Sequence, residues 1–210
     1  MKRIALSFIC MVAVLTYARG ARAQTAYAFD AGKSKLEMNV YKEGFFKAFG
    51  HNHVVSAKKF SGRVTLDQQK MENSSVKLQV TTKSLTVTDP EASEKERNEV
   101  QATMQGDKVL DSAKFPEIVF TSTKVTKAER KGDAWNLTVA GTLQLHGVQK
   151  DISLPLKLRV HGEQLTAEGE VKLLQSEYGM TPIKIGGGSV RVKDELRIRF
   201  EIHAQSAGKA

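Results

Sequence analysis

The chain has 210 residues, with 32 basic and 23 acidic side chains, five histidines and a single cysteine. The basic residues are scattered singly and are not interleaved with aromatic residues, which argues against a nucleic-acid-binding groove. The one cysteine, Cys10, cannot form an internal disulfide, and it lies within the first 23 residues, whose predicted removal leaves the mature chain without a thiolate for a zinc site.

The first 23 residues have the pattern of a secretory signal peptide. Lys2-Arg3 precedes an apolar run at 4–18, and Ala-Arg-Ala at 21–23 provides a small-x-small cleavage site. The apolar run is shorter than the roughly 20 residues needed to span a bilayer. We therefore predict a signal peptide at 1–23, export to the periplasm and one mature domain over 24–210. Loss of the four basic residues before the cleavage site lowers the formal net charge from +9 to +5.

Three segments between residues 36 and 80 alternate apolar and polar side chains. This period of two is that of a strand with one buried face. The segments are 36–40, 60–66 and 76–80, and polar residues with glycine or asparagine lie between them. They predict strands with one apolar side.

A helical segment follows between residues 89 and 106. Asp89 offers an N-cap side chain, Pro90 suits a first helical turn, and good helix formers continue until Gly106. The segment has few apolar residues, chiefly Val100 and Met104. Two more, Val109 and Leu110, follow Gly106. We expect it to cover one end of a sheet.

The longest alternating segments lie in the second half of the chain. After a short strand at 118–120, apolar residues take the odd positions of 135–145 and the even positions of 152–160. The turn-like residues between these two runs predict a long antiparallel hairpin. Alternation returns at 165–173 and 196–202, which brings the total to about eight strands.

Eight antiparallel strands with one apolar face each must bury a continuous surface. Closing the sheet into a barrel does this and removes both edges, so we predict an all-β, extended eight-stranded antiparallel barrel with a short helical segment over one end. A two-sheet sandwich is the alternative. Strand runs of 9–13 residues give walls roughly 30–40 Å long, which favours a slender apolar ligand in the lumen. The same side chains could instead form a filled core.

Four segments, taken in order, resemble the YceI-like family of periplasmic, lipocalin-like proteins. They are KVLDSAKFPEIVFTST at 108–123, GTLQLHGVQKDISLPLKL at 141–158, QSEYGM at 175–180 and VKDELRIRFEIHA at 192–204. The resemblance implies a lipocalin-like barrel whose lumen binds a polyisoprenoid chain, such as the tail of a quinone or a polyprenyl lipid, with no catalysis. It is compatible with a transient membrane contact, and it leaves the oligomeric state open, a homodimer included.

The predicted ligand site has a lumen part and a mouth part. The lumen part consists of inward-facing residues from facing strands. On the earlier strands they are Met38, Val40, Leu143 and Leu145, and on the later strands Leu154, Leu156, Leu173, Ile198 and Phe200. The mouth part consists of five aromatic residues near the expected opening: Phe45, Phe46, Phe49, Phe115 and Tyr178. Burial of an apolar chain against these residues contributes about 25 cal/mol per Å² removed from water.

The tripeptide His51-Asn52-His53 has three interpretations. It forms a turn, in which Gly50 and Asn52 accept unusual backbone angles and the histidines bond locally or face water. Alternatively, the two imidazoles share a strand face and bind a metal ion, although a stable zinc site needs three or four ligands. The third interpretation is a polar contact to a ligand head group at the barrel mouth. A periplasmic metal- or stress-responsive binder with a filled core is therefore the alternative function.

The sequence does not predict an enzyme. The inward positions offer almost no titratable side chains, and Ser176 lacks the Gly-x-Ser-x-Gly frame of a hydrolase nucleophile. The three glycines at 186–188 lack the Lys-Ser/Thr end of a phosphate-binding loop. We therefore predict no catalytic residue, no cofactor and, in the preferred interpretation, no bound metal.

Overall fold

The computed structural model describes residues 24–43, 52–185, 187 and 190–206. The predicted signal peptide lies outside these residues. The first six strands are β1 Thr25–Phe29, β2 Lys35–Glu43, β3 His53–Ala57, β4 Phe60–Leu66, β5 Ser75–Thr81 and β6 Leu85–Val87. The helix α1, Glu94–Gln105, follows. The remaining strands are β7 Glu117–Lys131, β8 Ala134–Leu145, β9 Val148–His161, β10 Gln164–Leu174, β11 Lys184–Ile185 and β12 Val190–Ser206.

The strands form a closed antiparallel ring with eight positions in the described part of the chain. Three of these positions hold two short strands in line. β1 and β2 follow one another along β12, β4 and β3 lie against them, and β5 and β6 lie against β4 and β3. The ring then continues through β7, β8, β9 and β10 and returns to β12. The predicted eight-stranded barrel is confirmed, and the sandwich alternative is wrong.

The alternation that predicts the strands places one face of each in the barrel interior. In β8, the buried positions from Leu137 to Leu145 are every second residue, and the residues between them are partly or fully exposed. The turn from β8 to β9 has two residues, His146 and Gly147, with φ angles of 51° and 75°. Positive φ at both positions is typical of the type I′ turn, whose twist matches that of the paired strands. This hairpin therefore keeps its register over its whole length.

The two ends of the barrel differ. At one end, called the helix end, α1 lies near the C-terminal end of β6, and the turn of the β8–β9 hairpin is at the same end. The other end, called the far end, carries the connections at 67–74, 132–133 and 162–163. Four almost fully buried core residues lie toward the far end: Tyr27, Leu66, Met71 and Leu165.

The helix begins later than the sequence predicts. Its N-cap is Ser93, whose hydroxyl accepts a hydrogen bond from the backbone N–H of Glu96, while the Glu96 carboxylate accepts from the backbone N–H of Ser93. This reciprocal arrangement is a capping box. The prediction of Asp89 as the N-cap is wrong, because the Asp89 carboxylate is buried against β3. In the described residues, no helix is long and apolar enough to cross a membrane.

Two glutamine side chains fasten α1 to β6. The amide oxygen of Gln101 accepts from the backbone N–H of Val87 at 2.8 Å, and its amide nitrogen donates to the carbonyl oxygen of Leu85 at 2.8 Å. The Gln105 amide nitrogen donates to the carbonyl oxygens of Thr82 and Leu85. Among the described strands, β6 pairs only with β3. The helix therefore satisfies the backbone groups of a sheet edge through side chains.

Candidate functional site

The barrel encloses a cavity of about 480 Å³. Its walls are the inward faces of the ring strands, and its lining is largely Leu, Ile, Val and Phe. Val100 and Met104 of α1 also line it, so the helix forms part of its boundary. Glu99 and Thr103 of the same helix line the cavity and are exposed to solvent. The cavity therefore reaches the surface beside α1, and the alternative of a filled core is wrong.

The structure places every predicted lumen residue on the cavity wall. On β2 and β8 these are Met38, Val40, Leu143 and Leu145, and on β9, β10 and β12 they are Leu154, Leu156, Leu173, Ile198 and Phe200. They come together because the inward phases of neighbouring strands are in register, as in the pairs Met38–Ile198 and Val40–Leu196. Their role in binding a ligand stays a prediction.

The predicted mouth residues are not brought together in the described structure. Phe45, Phe46 and Phe49 lie outside the described residues. Phe115 is not among the lining residues, because its ring packs edge-on against His146 with 4.7 Å between ring centroids. Tyr178 is completely buried behind the wall, where its carbonyl oxygen accepts a hydrogen bond from Nδ1 of His146 at 3.0 Å. Both aromatic residues therefore support the β8–β9 turn.

Three glycines on the strands lie directly under phenylalanine rings that line the cavity. A Cβ atom at these glycines would lie 2.3 to 2.6 Å from the nearest ring carbon, which is closer than van der Waals contact allows. The pairs are Gly62 with Phe29, Gly141 with Phe120, and Gly169 with Phe200. The absence of a side chain lets each ring lie close to the wall, so these phenylalanines take little of the lumen.

Charged residues pair with one another on the outside of the barrel. Nε of Arg199 donates to Glu170 at 2.6 Å, and Arg197 lies 3.3 Å from the same carboxylate. The hydrogen bond from Arg199 is the main reason that the pKa of Glu170 is lowered, and the charge of Arg197 adds to the effect. These pairs belong to the solvated face of β10 and β12, which leaves the inner face apolar.

A histidine and an aspartate form a polar pair at the helix end. Nδ1 of His53 lies 2.5 Å from Oδ2 of Asp89, whose side chain is only 3% exposed. Oδ1 of the same carboxylate accepts a hydrogen bond from the backbone N–H of Val54. His53 also lines the cavity. The interpretation of His53 as a turn residue with local bonds is wrong, because it begins β3 and pairs with a residue 36 positions later.

Sequence reasoning missed the partner of His53. The available signal was the pair Asp89-Pro90 after a short apolar segment, and that pattern equally suggests a helix start. The metal interpretation of His51 and His53 gains no support, since the described residues contain no group of three or more His, Cys, Asp or Glu side chains placed to hold an ion. His51 lies outside the described residues.

Solved structures of low sequence identity share this fold. BcnA from Burkholderia cenocepacia has a TM-score of 0.66 and 22% identity, and the match covers 84% of this chain and 99% of that one. A polyisoprenoid-binding domain from Saccharophagus degradans has a TM-score of 0.61 and 15% identity, over 87% of this chain and 99% of that one. The YceI protein of Campylobacter jejuni has a TM-score of 0.54 and 17% identity, over 72% and 84%.

Curated relatives and a protein family match the sequence itself. Protein YceI of Salmonella arizonae is 28% identical over 183 residues, which cover 82% of this chain and 85% of that protein. Protein YceI of Salmonella enteritidis matches to the same extent. The family described as the YceI-like domain matches residues 27–204, which include all eight ring positions of the barrel apart from a few terminal residues. The chain therefore belongs to the YceI-like family.

Proposed function

We propose that this protein is a non-enzymatic binding protein that holds a long-chain lipid, with an isoprenoid or quinone-type tail, inside its barrel. The observation that carries the proposal is the apolar cavity of about 480 Å³. This volume is within the range of roughly 300–1,000 Å³ that small-molecule sites occupy. Burial of an apolar chain against such a wall supplies the binding free energy, at about 25 cal/mol per Å².

The family relationship supports the same class of ligand. One protein that shares the fold is described as a polyisoprenoid-binding domain. Among the described lining residues the charged or titratable side chains are His53 and Glu99, and Glu99 is 67% exposed. This sparse set favours storage or transport over chemistry. The signal-like first 23 residues favour a periplasmic location, where a carrier would shield an apolar chain from water.

Direct identification of the bound molecule tests the proposal. The protein is expressed with its own first 23 residues, purified without detergent and extracted with organic solvent, and the extract is analysed by mass spectrometry. We expect a polyprenyl or quinone species at close to one molecule per protein. An extract free of lipid, from protein that circular dichroism shows to be folded, contradicts the proposal.

A charge placed on the wall should abolish lipid retention. Leu156 faces the cavity between Leu137 of β8 and Gly169 of β10. In Leu156→Arg the buried guanidinium competes with the ligand for the lumen, and an unpaired charge in an apolar site is strongly unfavourable. Ser153→Arg is the matched control, since this residue is exposed on the same strand. Equal lipid retention in the two folded variants would remove the lumen as the binding site.

A further inference from the structure

His53 provides a polar group at the helix end of an apolar cavity. It is the first residue of β3 and lies opposite Val40 of β2, and the next pair on the same face of the two strands is Met38 with Val55. All three of these neighbours line the cavity as well. The His53 side chain is 23% exposed, so it is neither fully solvated nor enclosed in the core. It therefore lies where the apolar wall meets the opening beside α1.

The surrounding contacts fix the orientation of the imidazole. The Asp89 carboxylate is held by the backbone N–H of Val54, and the segment that carries it is tied to β3 by the hydrogen bond from the Thr88 N–H to the Val54 carbonyl oxygen, 2.8 Å. Arg97 of α1 donates to the Asp89 carbonyl oxygen at 3.2 Å. A carboxylate only accepts, so Nδ1 of His53 carries the proton and donates to it. The second ring nitrogen, Nε2, is thereby left on the opposite edge of the ring.

The other polar side chains of the lining are already engaged or face water. Nε2 of Gln175 donates to the carbonyl oxygen of Lys193 at 2.9 Å, and the hydroxyl of Thr103 donates to the Glu99 carbonyl oxygen at 2.9 Å. The hydroxyl of Ser74 accepts from the backbone N–H of Asp67. Glu99 itself is 67% exposed. Nε2 of His53, in contrast, has no hydrogen-bond partner within the described residues.

We infer that Nε2 of His53 forms a hydrogen bond with an oxygen atom in the head group of the lumen ligand. The ligand is then a lipid with one polar end, whose chain runs into the barrel and whose oxygen stays at the helix end. A hydroxyl donates to Nε2 of the neutral imidazole, whereas a carbonyl oxygen accepts from Nε2 only when that nitrogen also carries a proton. A polar oxygen that enters an apolar cavity without a partner loses its hydrogen bonds to water, and one bond to Nε2 offsets that loss. This inference rests on the proposed function.

Competition between matched probes tests the inference. Delipidated protein is incubated with an equimolar mixture of 1-hexadecanol and hexadecane, and the bound ratio is measured by extraction and mass spectrometry. The variants are His53→Leu combined with Asp89→Asn, which leaves no unpaired buried charge, and Asp89→Asn alone, which keeps the imidazole. Because the two probes differ in their free energy in water by the same amount for every protein, comparing each variant with the wild type removes that difference. His161→Gln, an exposed histidine at the far end, is the control.

We expect the alcohol-to-hydrocarbon ratio to be about tenfold lower in the double variant than in the wild type. Asp89→Asn and His161→Gln should keep the wild-type ratio, because a hydroxyl can pair with Nε2 whether that nitrogen donates or accepts. A methyl ketone of the same chain length, used in place of the alcohol, distinguishes the two oxygen types. Preferential binding of the ketone assigns a carbonyl head group, and preferential binding of the alcohol assigns a hydroxyl.

Two results overturn the inference while leaving the proposed function intact. One is an equal ratio in the wild type and in the double variant, with hexadecane still bound. The other is a loss of preference in Asp89→Asn as large as that in the double variant. If the double variant does not retain hexadecane, His53→Phe combined with Asp89→Asn is judged by the same criteria. A wild-type protein that binds none of the probes refutes the lumen-binding function and the inference together.

Discussion

Replacing Tyr178 with phenylalanine should stabilise the protein. The Tyr178 side chain is 0% exposed, and its hydroxyl has no hydrogen-bond partner among the described residues. A buried hydroxyl without a partner costs about 1–3 kcal/mol, and Tyr178→Phe removes the hydroxyl while it keeps the ring and its packing. We expect a gain of about 1 kcal/mol, which corresponds to about 2–4 °C in Tm for a chain of this size.

The same variant should change the stability at alkaline pH. Burial raises the pKa of the Tyr178 phenol, and the charge of Glu177 adds to this. Because the pKa is higher in the folded than in the unfolded state, this group lowers the stability as the pH rises above about 10, where the unfolded tyrosine ionises. The phenylalanine variant lacks this contribution and should lose less stability between neutral and alkaline pH.

Urea denaturation at pH 7 and at alkaline pH measures both effects. Tyr41→Phe is the control, because the Tyr41 ring is partly exposed and contacts Arg197 through its face. We expect a change of less than about 0.5 kcal/mol for that control. A Tyr178→Phe variant less stable than the wild type would show that the hydroxyl has a favourable partner, and the reasoning would fail. Lipid retention should stay unchanged, since Tyr178 does not line the cavity.

Two further substitutions test the barrel wall and its outer charges. Gly141→Ala would place Cβ 2.5 Å from the Thr121 carbonyl oxygen, so we expect the free energy of unfolding, measured by urea denaturation, to fall by about 1–3 kcal/mol. Gly32→Ala, where the nearest atom is 3.4 Å away, is the control and should change the stability little. Equal effects of the two substitutions would contradict the steric argument. Glu170 has a lowered pKa because Arg199 donates a hydrogen bond to it, so its stabilisation is present above the unfolded pKa and is lost as the pH falls through the folded one. Glu170→Gln should therefore show a shallower loss of stability below about pH 4.5 than the wild type, and parallel acid limbs would refute the assignment.

The barrel could be predicted from the sequence because its main signal is local. In β8 and β9 the alternation of apolar residues persists over eleven and nine positions, and it directly marks the residues that face the lumen. Four of the nine predicted lumen residues lie on these two strands, and the other five followed from the same alternation on β2, β10 and β12. The short strands β1, β3 and β6 were not predicted, since three to five residues are too few to show a period.

The polar pair at the helix end could not be predicted in the same way. His53 and Asp89 meet because β3 and the segment after β6 are neighbours in the closed ring, and their separation of 36 positions carries no periodic signal. The local sequence around Asp89 indicated a helix N-terminus instead, since aspartate followed by proline is typical of a helix start. Ser93 was the better N-cap, because Glu96 three positions later completes the capping box.

The glutamine contacts between α1 and β6 have a consequence for solubility. An unpaired strand edge is a template on which another chain can add a strand, and such edges promote aggregation. The amide groups of Gln101 and Gln105 occupy the outward N–H and C=O groups of Leu85 and Val87, as a neighbouring strand would. Loss of these contacts would expose a short unpaired strand edge beside the opening of the cavity. By occupying these groups, the helix removes a site at which a strand of another molecule could pair.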